Sequence, residues 1–209
     1  MILVIPTVYI KKGRSVYSIG GLDGLEKYSD QLKESPLNLI QLLREENNKT
    51  LLIHSDNSTE SMELIKSIID LLDIPIQVYL HTDNSDEFIQ SMSKIRILRI
   101  FCDFQKINYV SAIFPNAIPV FKITEYSQEI NNEFDRIMID AEGKNLGDVL
   151  INTDKKVSVI NAMSNTELLT KLNLSKSPID SIYLGKEYYG INYVGQLLWR
   201  IAELEQLSR

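Results

Sequence analysis

The stretch PIQVYLHTDNSDEFIQSMSKIRILRIF, residues 75–101, decides the fold. PIQVYL (75–80) is an apolar run of strand length. A polar loop follows, and Asp86 to Met92 reads as a helix. IRILRIF (95–101) is a second apolar run. Strand, loop, helix, strand is the unit that joins two parallel strands, because parallel neighbours need a long crossover between them.

The same grammar extends both ways. Upstream, Ile2 to Ile10 reads as a buried strand broken by Pro6, and Lys11-Lys12-Gly13-Arg14 as a turn. A helix is predicted from Ser35-Pro36 to about Glu46, with Leu39, Leu42 and Leu43 on one face and Pro in its first turn. LLIHSD (51–56) is a strand. Ser58 or Thr59 caps the next helix, whose apolar stripe is Met62, Ile65, Ile68, Ile69 and Leu72. Downstream come a weaker helix at 105–113 and strands IPVFKI (118–123), RIMI (136–139), KVSVI (156–160) and SIYL (181–184). Helices are predicted over Thr166–Leu172 and from about Tyr193 to Leu207.

Eight short strands that do not strictly alternate, separated by helices, imply a parallel sheet covered by helices. Eight such units close into a (β/α)8 barrel, so the expectation is one barrel domain over residues 1–209. A doubly wound open sheet is the runner-up. A faint repeat supports two half-barrels: the segments around Glu87 and Glu167 share the order strand, polar loop, helix, strand. The connections TEYSQEINNEFD (124–135) and DAEGKNLGDVLINTDK (140–155) leave no room for a long loop plus a full helix, so the barrel is expected to be short around units 5 and 6.

Composition narrows the function classes. The 209 residues are 44% hydrophobic, enough for a sizeable core. Asp and Glu exceed Lys and Arg, 28 to 22, and no basic block is longer than two residues, which argues against nucleic-acid binding. No apolar run approaches a membrane span. The chain begins directly on a strand without a charged leader, so a cytoplasmic protein is expected. The single cysteine, Cys102, allows no internal disulfide framework and no cysteine-based zinc site. No metal and no cofactor is called for.

Five motifs in register resemble the ProFAR isomerase family of histidine biosynthesis. They are IPTVYIKKGRSV (5–16), LLIHSDNS (51–58), DIPIQV (73–78), IDAEGKNLG (139–147) and SIYLGKEYYG (181–190). The resemblance implies a two-half (β/α)8 barrel and an aldose-to-ketose rearrangement of a substrate with a phosphate at each end. It also implies two catalytic aspartates, at the ends of strands 1 and 5. Those positions hold Tyr9 and about Ile123, followed by Thr124, with Glu125 as a nearby substitute for the second. The family's glycine-rich phosphate grips are eroded as well, since none of the 9 glycines lies between Gly24 and Gly143. Gly185 and Lys186 after strand 8, with Asn161 after strand 7, keep part of a second anion site.

The resemblance therefore implies a divergent family member that has lost the catalytic pair. Such a barrel would bind a partner protein or a phosphorylated ligand. The expected partner is a second copy or another histidine-pathway protein. The alternative is an active Amadori isomerase that relocates its acid and base to His54, His81 and Asp140. The two histidines fall at the carboxyl ends of strands 2 and 3, where barrel enzymes place their chemistry, and Asp140 at the end of strand 6. The histidines also suit metal binding with Asp56 or Asp103, although no ligand spacing is evident. Their ordinary reading is two polar residues on a barrel rim. The ordinary reading of Asp140 is a cap or solvent-exposed loop acid, and that of Cys102 a small buried apolar residue. Tyr188, Tyr189 and Tyr193 read as packing beneath the last helix.

Overall fold

The computed structural model describes residues 2–16, 35–45, 48–56, 58–81, 83–126, 133–149, 153–162, 167–168, 171–172 and 177–185. Its strands are β1 (Leu3–Lys11), β2 (Arg14–Val16), β3 (Leu51–Ser55), β4 (Ile76–Leu80), β5 (Arg99–Asp103), β6 (Ile118–Lys122), β7 (Arg136–Asp140), β8 (Lys156–Ile160) and β9 (Ile179–Leu184). All but β2 are parallel neighbours in chain order, and β1 also pairs with β9. The sheet thus closes on itself as an eight-stranded parallel barrel. The open-sheet runner-up is excluded by that last pairing.

The α-helices that lie between strands wholly within the described residues are α1 (Pro36–Glu45), α2 (Thr59–Leu71), α3 (Asp86–Met92) and α4 (Ile107–Ile113). Local chemistry sets their starts. The Ser58 hydroxyl accepts from the Ser61 N–H, and the Ser85 hydroxyl accepts from the Phe88 N–H, so each satisfies an otherwise orphaned helix donor. Between β7 and β8 the described residues hold only a 3-10 turn, Leu146–Asp148, in keeping with the short unit expected there. The helix predicted over 193–207, Lys186 and the three late tyrosines lie outside the described residues; of the helix predicted over 166–172, residues 167–168 and 171–172 are described and helical.

The turn after β1 is a two-residue hairpin loop. Lys12 and Gly13 both have positive φ, 50° and 69°, which matches the right-handed twist of the strands they join. Asp56 fixes this hairpin to α2. Its carboxylate accepts from the Lys12 N–H at 3.0 Å and from the hydroxyls of Ser58 and Ser61 at 2.8 and 2.6 Å.

One strand is displaced from its predicted position. The run IRILRIF places a strand at 95–101, yet pairing starts at Arg99, opposite Gln77, and continues to Asp103. Ile95 and Ile97 instead pack on the outer core as the chain crosses the amino end of the barrel. An apolar stretch is needed there in any case, and periodicity alone does not separate it from the strand.

Two apolar layers follow from strand alternation. Leu52, Tyr79, Phe101, Val120, Met138, Ile160 and Tyr183 form a cluster inside the barrel. Their neighbours in sequence, among them Ile53, Val78, Leu80, Ile100, Ile137 and Val159, join a second cluster with Ile65, Ile68 and Phe88 from the helices. Both faces of each strand are buried, which is why the strands read as continuous apolar runs. Polar contacts close the amino end: the Tyr183 hydroxyl donates to Gln77 Oε1 at 2.8 Å, and Arg136 grips Asp180 through both nitrogens at 2.8 and 2.6 Å.

Candidate active site at the carboxyl end of the barrel

Inward positions near the carboxyl ends of the strands are not apolar. Tyr9 lies opposite His54, and His54 opposite Tyr79, on three adjacent strands. His81 follows β4 directly, Asp103 ends β5, Asp140 ends β7, and Asn161 follows β8. The closed sheet gathers these seven residues at one mouth. They form two hydrogen-bonded groups.

The first group centres on Asp140. The Tyr9 hydroxyl donates to Asn161 Oδ1. Asn161 Nδ2 donates to Asp140 Oδ1 at 3.0 Å, and the Glu142 N–H donates to the same oxygen at 2.9 Å. Asn161 has φ of 56°, a left-handed conformation that Asn tolerates better than most residues. Burial pushes the Asp140 carboxyl above the usual carboxylate range, and its two hydrogen bonds pull the other way without cancelling the effect. Among the described residues no hydrogen bond reaches Asp140 Oδ2.

The second group centres on His81. Asp103 accepts from the Tyr79 hydroxyl at 2.6 Å and lies 3.4 Å from His81 Nδ1. The Nε2 atoms of His54 and His81 are hydrogen-bond partners. Their rings are 17° from coplanar with centroids 4.5 Å apart, so the imidazoles meet edge to edge nearly in one plane. Tyr79 lies against both rings, 4.5 and 4.7 Å away, and Tyr9 lies 5.0 Å from His54. His54 is fully buried, and burial, with His81 beside it, holds its pKa well below the ordinary imidazole value. Burial, then Asp103 and Asp140, raises Tyr79 well above a free phenol, so Tyr79 stays a neutral donor.

The sequence-predicted residues divide accordingly. His54, His81, Asp140, Asn161 and Tyr9 come together. Asn161 serves as a bridge between Tyr9 and Asp140. Gly185 is buried at the end of β9, and its neighbour Lys186 lies outside the described residues. Ile123 packs on the outer core, and Glu125 is exposed in the turn after β6, where Gln105 reaches it at 3.5 Å. Asp56 is taken up by the hairpin contacts described above. The Cys102 thiol is buried in the outer layer and pushed up to about 12 by burial and by Asp103, so it is no nucleophile at neutral pH. Among the described residues no group of three or more His, Cys, Asp or Glu is placed to hold a metal ion.

Sequence reasoning passed over Tyr79 and made of Asp103 only a possible metal ligand. The signal is in the alternation. Gln77, Tyr79 and His81, and likewise Arg99, Phe101 and Asp103, put polar or aromatic groups on the inward parity of strands whose other parity is aliphatic.

These features define a (β/α)8 barrel with a polar, partly titratable cluster at the end where barrel enzymes carry their chemistry. Among solved structures the chain is similar to a mutant tryptophan synthase alpha-subunit from Pyrococcus furiosus, at 11% identity over 88% of this chain and 86% of that one, with a TM-score of 0.57. It is similar to tryptophan synthase subunit alpha from Campylobacter jejuni, at 8% identity over the same shares, TM-score 0.52. A structure from Aquifex aeolicus matches at 12% identity over 93% and 87%, TM-score 0.54. At such identities the likeness is one of fold. No family model matches the chain, and no curated protein matches it.

The resemblance to ProFAR isomerase is therefore corrected, and the histidine-pathway activity and partner go with it. The structural likeness runs to tryptophan synthase alpha-subunits, and neither a family model nor a curated protein supports the isomerase family. The physical reason lies in the motifs. Four of the five run from the apolar end of a strand into polar residues or glycine, which is the local grammar of any parallel barrel strand reaching the rim, and DIPIQV is only the entry into β4.

Proposed function

We propose that the carboxyl mouth is an acid–base site that moves a proton on a small polar molecule, with residues 1–209 acting as one barrel domain. Asp140 is the group that exchanges the proton, and His81, aligned by Asp103, is its titratable counterpart from β4. The observation that carries this reading is Asp140 itself. A carboxyl with a pKa elevated by burial, and with one oxygen that accepts no hydrogen bond among the described residues, suits proton transfer. Asn161 Nδ2 and the Glu142 N–H hold the other oxygen, and the Tyr9 hydroxyl holds Asn161 in place.

The test works without a named substrate. The protein is incubated in D2O with a panel of sugars, hydroxy acids, amino acids and their phosphate esters, and loss of C–H signals is followed by proton NMR. The expected result is exchange into at least one compound, slowed about 100-fold or more in Asp140→Asn. Exchange unchanged in Asp140→Asn overturns the role of Asp140. No exchange in any compound favours a second reading, a barrel that binds a partner or a phosphorylated ligand without turnover. In that reading Gly185 and Lys186 contact the anion.

The second reading also has a structural observation in its favour. A groove of about 420 Å3 at the amino end is lined by Leu72, Ile74, Ile76, Ile97 and Leu98. Leu98 of that lining is 54% exposed, and Leu71, next to Leu72 in the chain, is 70% exposed.

A further inference from the structure

The His54–His81 contact has a proton count that follows from geometry. One bridging hydrogen satisfies two Nε2 atoms that face each other nearly in plane. His81 uses Nδ1–H toward Asp103, so its Nε2 carries the lone pair, and the hydrogen comes from His54 Nε2. His54 Nδ1 is then unprotonated. It is buried and has no hydrogen-bond partner.

A second proton has no place in this arrangement. On His81 Nε2 it would set two N–H groups against each other. Moving the bridging hydrogen to His54 Nδ1 instead would bury a donor with no acceptor. We propose that the pair is a one-proton latch: taking a second proton from solvent onto His81 breaks the His54–His81 bond and turns the His81 Nε2–H into the mouth, where it becomes available to a ligand.

His81 is the partner that moves. His54 lies within β3, fully buried, and is sealed between Tyr9 and Tyr79. His81 lies beyond the end of β4, with its side chain 16% exposed. Its backbone is pinned, the N–H donating to Asn84 Oδ1 at 2.6 Å and the carbonyl accepting from the Asn84 N–H at 3.1 Å, so motion is confined to the side chain. Among the described residues, the groups placed against the imidazolium include His54 from β3, Tyr79 from β4, Asp103 from β5 and Asp140 from β7; Tyr9 from β1 backs His54. Both carboxylates favour the charged ring, and Asp103 keeps hold of Nδ1 throughout. The latch rests on the pair's geometry and stands whether or not the mouth turns a substrate over.

The chain has two histidines, so nitrogen NMR of protein labelled at histidine gives two ring systems, both in this site. At high pH the expected spectrum shows His54 as the Nε2–H tautomer, His81 as the Nδ1–H tautomer, and one strongly downfield bridging hydrogen. Lowering the pH should protonate His81 while His54 stays neutral, and the bridging signal should vanish in step with it. In His54→Phe the His81 midpoint should move up, because the bond that favours neutral His81 is gone. A bridging signal that survives protonation of His81, His54 titrating first, or a His81 midpoint unmoved in the variant overturns the proposal.

Discussion

His54 is the residue at which burial speaks most plainly. Its folded pKa lies below the unfolded one, so the unfolded chain binds more protons as the pH drops. The linkage sign is then fixed: the contribution to stability is complete above the unfolded value of about 6.5 and is lost as the pH falls below it. The melting temperature should decline between about pH 7 and pH 5, and His54→Phe should flatten that decline by up to one proton's worth of slope. Differential scanning calorimetry across that range reads both. The residue types at this site were visible in the sequence, which placed both histidines and Asp140 at strand ends. Their pairing was not, because His54 and His81 are 27 positions apart and meet only once β3 and β4 align. Tyr9 stood out as a missing aspartate and is in fact a donor to Asn161.

At the scale of elements, the β1–β2 hairpin shows how a local turn supports the mouth. Gly13 has a φ of 69°, and a Cβ there would sit 3.2 Å from the Glu60 Cβ. Gly13→Ala therefore carries both backbone strain and a tight contact with α2. The expected cost is about 1–2 kcal/mol in chemical denaturation, with the slope of the transition unchanged. The turn itself was legible from Lys11-Lys12-Gly13-Arg14, but β2 was not, since three residues carry no period. β5 was legible in kind and wrong in place. Its predicted run begins with the crossing segment Ile95 to Leu98, which is apolar because it packs on the outer core or stands exposed beside the groove, not because it pairs.

At the scale of the molecule, the barrel was readable because eight apolar runs with short helices between them leave few ways to bury both strand faces. The inner layer is the part that makes it a packed barrel. Phe101 is fully buried there and meets the Tyr183 ring edge-on at 5.3 Å. Phe101→Ala should cost about 3–5 kcal/mol, measured as the shift of the urea transition. The site was only partly readable, because polar residues at strand ends announce a rim but not which of them touch. Family motifs offered a shortcut, and it failed for the same reason: strand ends of unrelated barrels share their local pattern.

The proposed function requires that the fold keep Asp140 as a carboxyl ready to exchange a proton. Its folded pKa lies above the unfolded one, so its ionisation works against stability as the pH rises through the folded value. The most direct measurement is the carboxyl carbon titration of Asp140 by NMR, assigned by difference with Asp140→Asn. The account predicts a midpoint above the ordinary aspartate range, and an Asp140→Asn variant that melts at the same or a higher temperature at pH 7. A midpoint at or below the ordinary value, with a variant that melts lower, would contradict it.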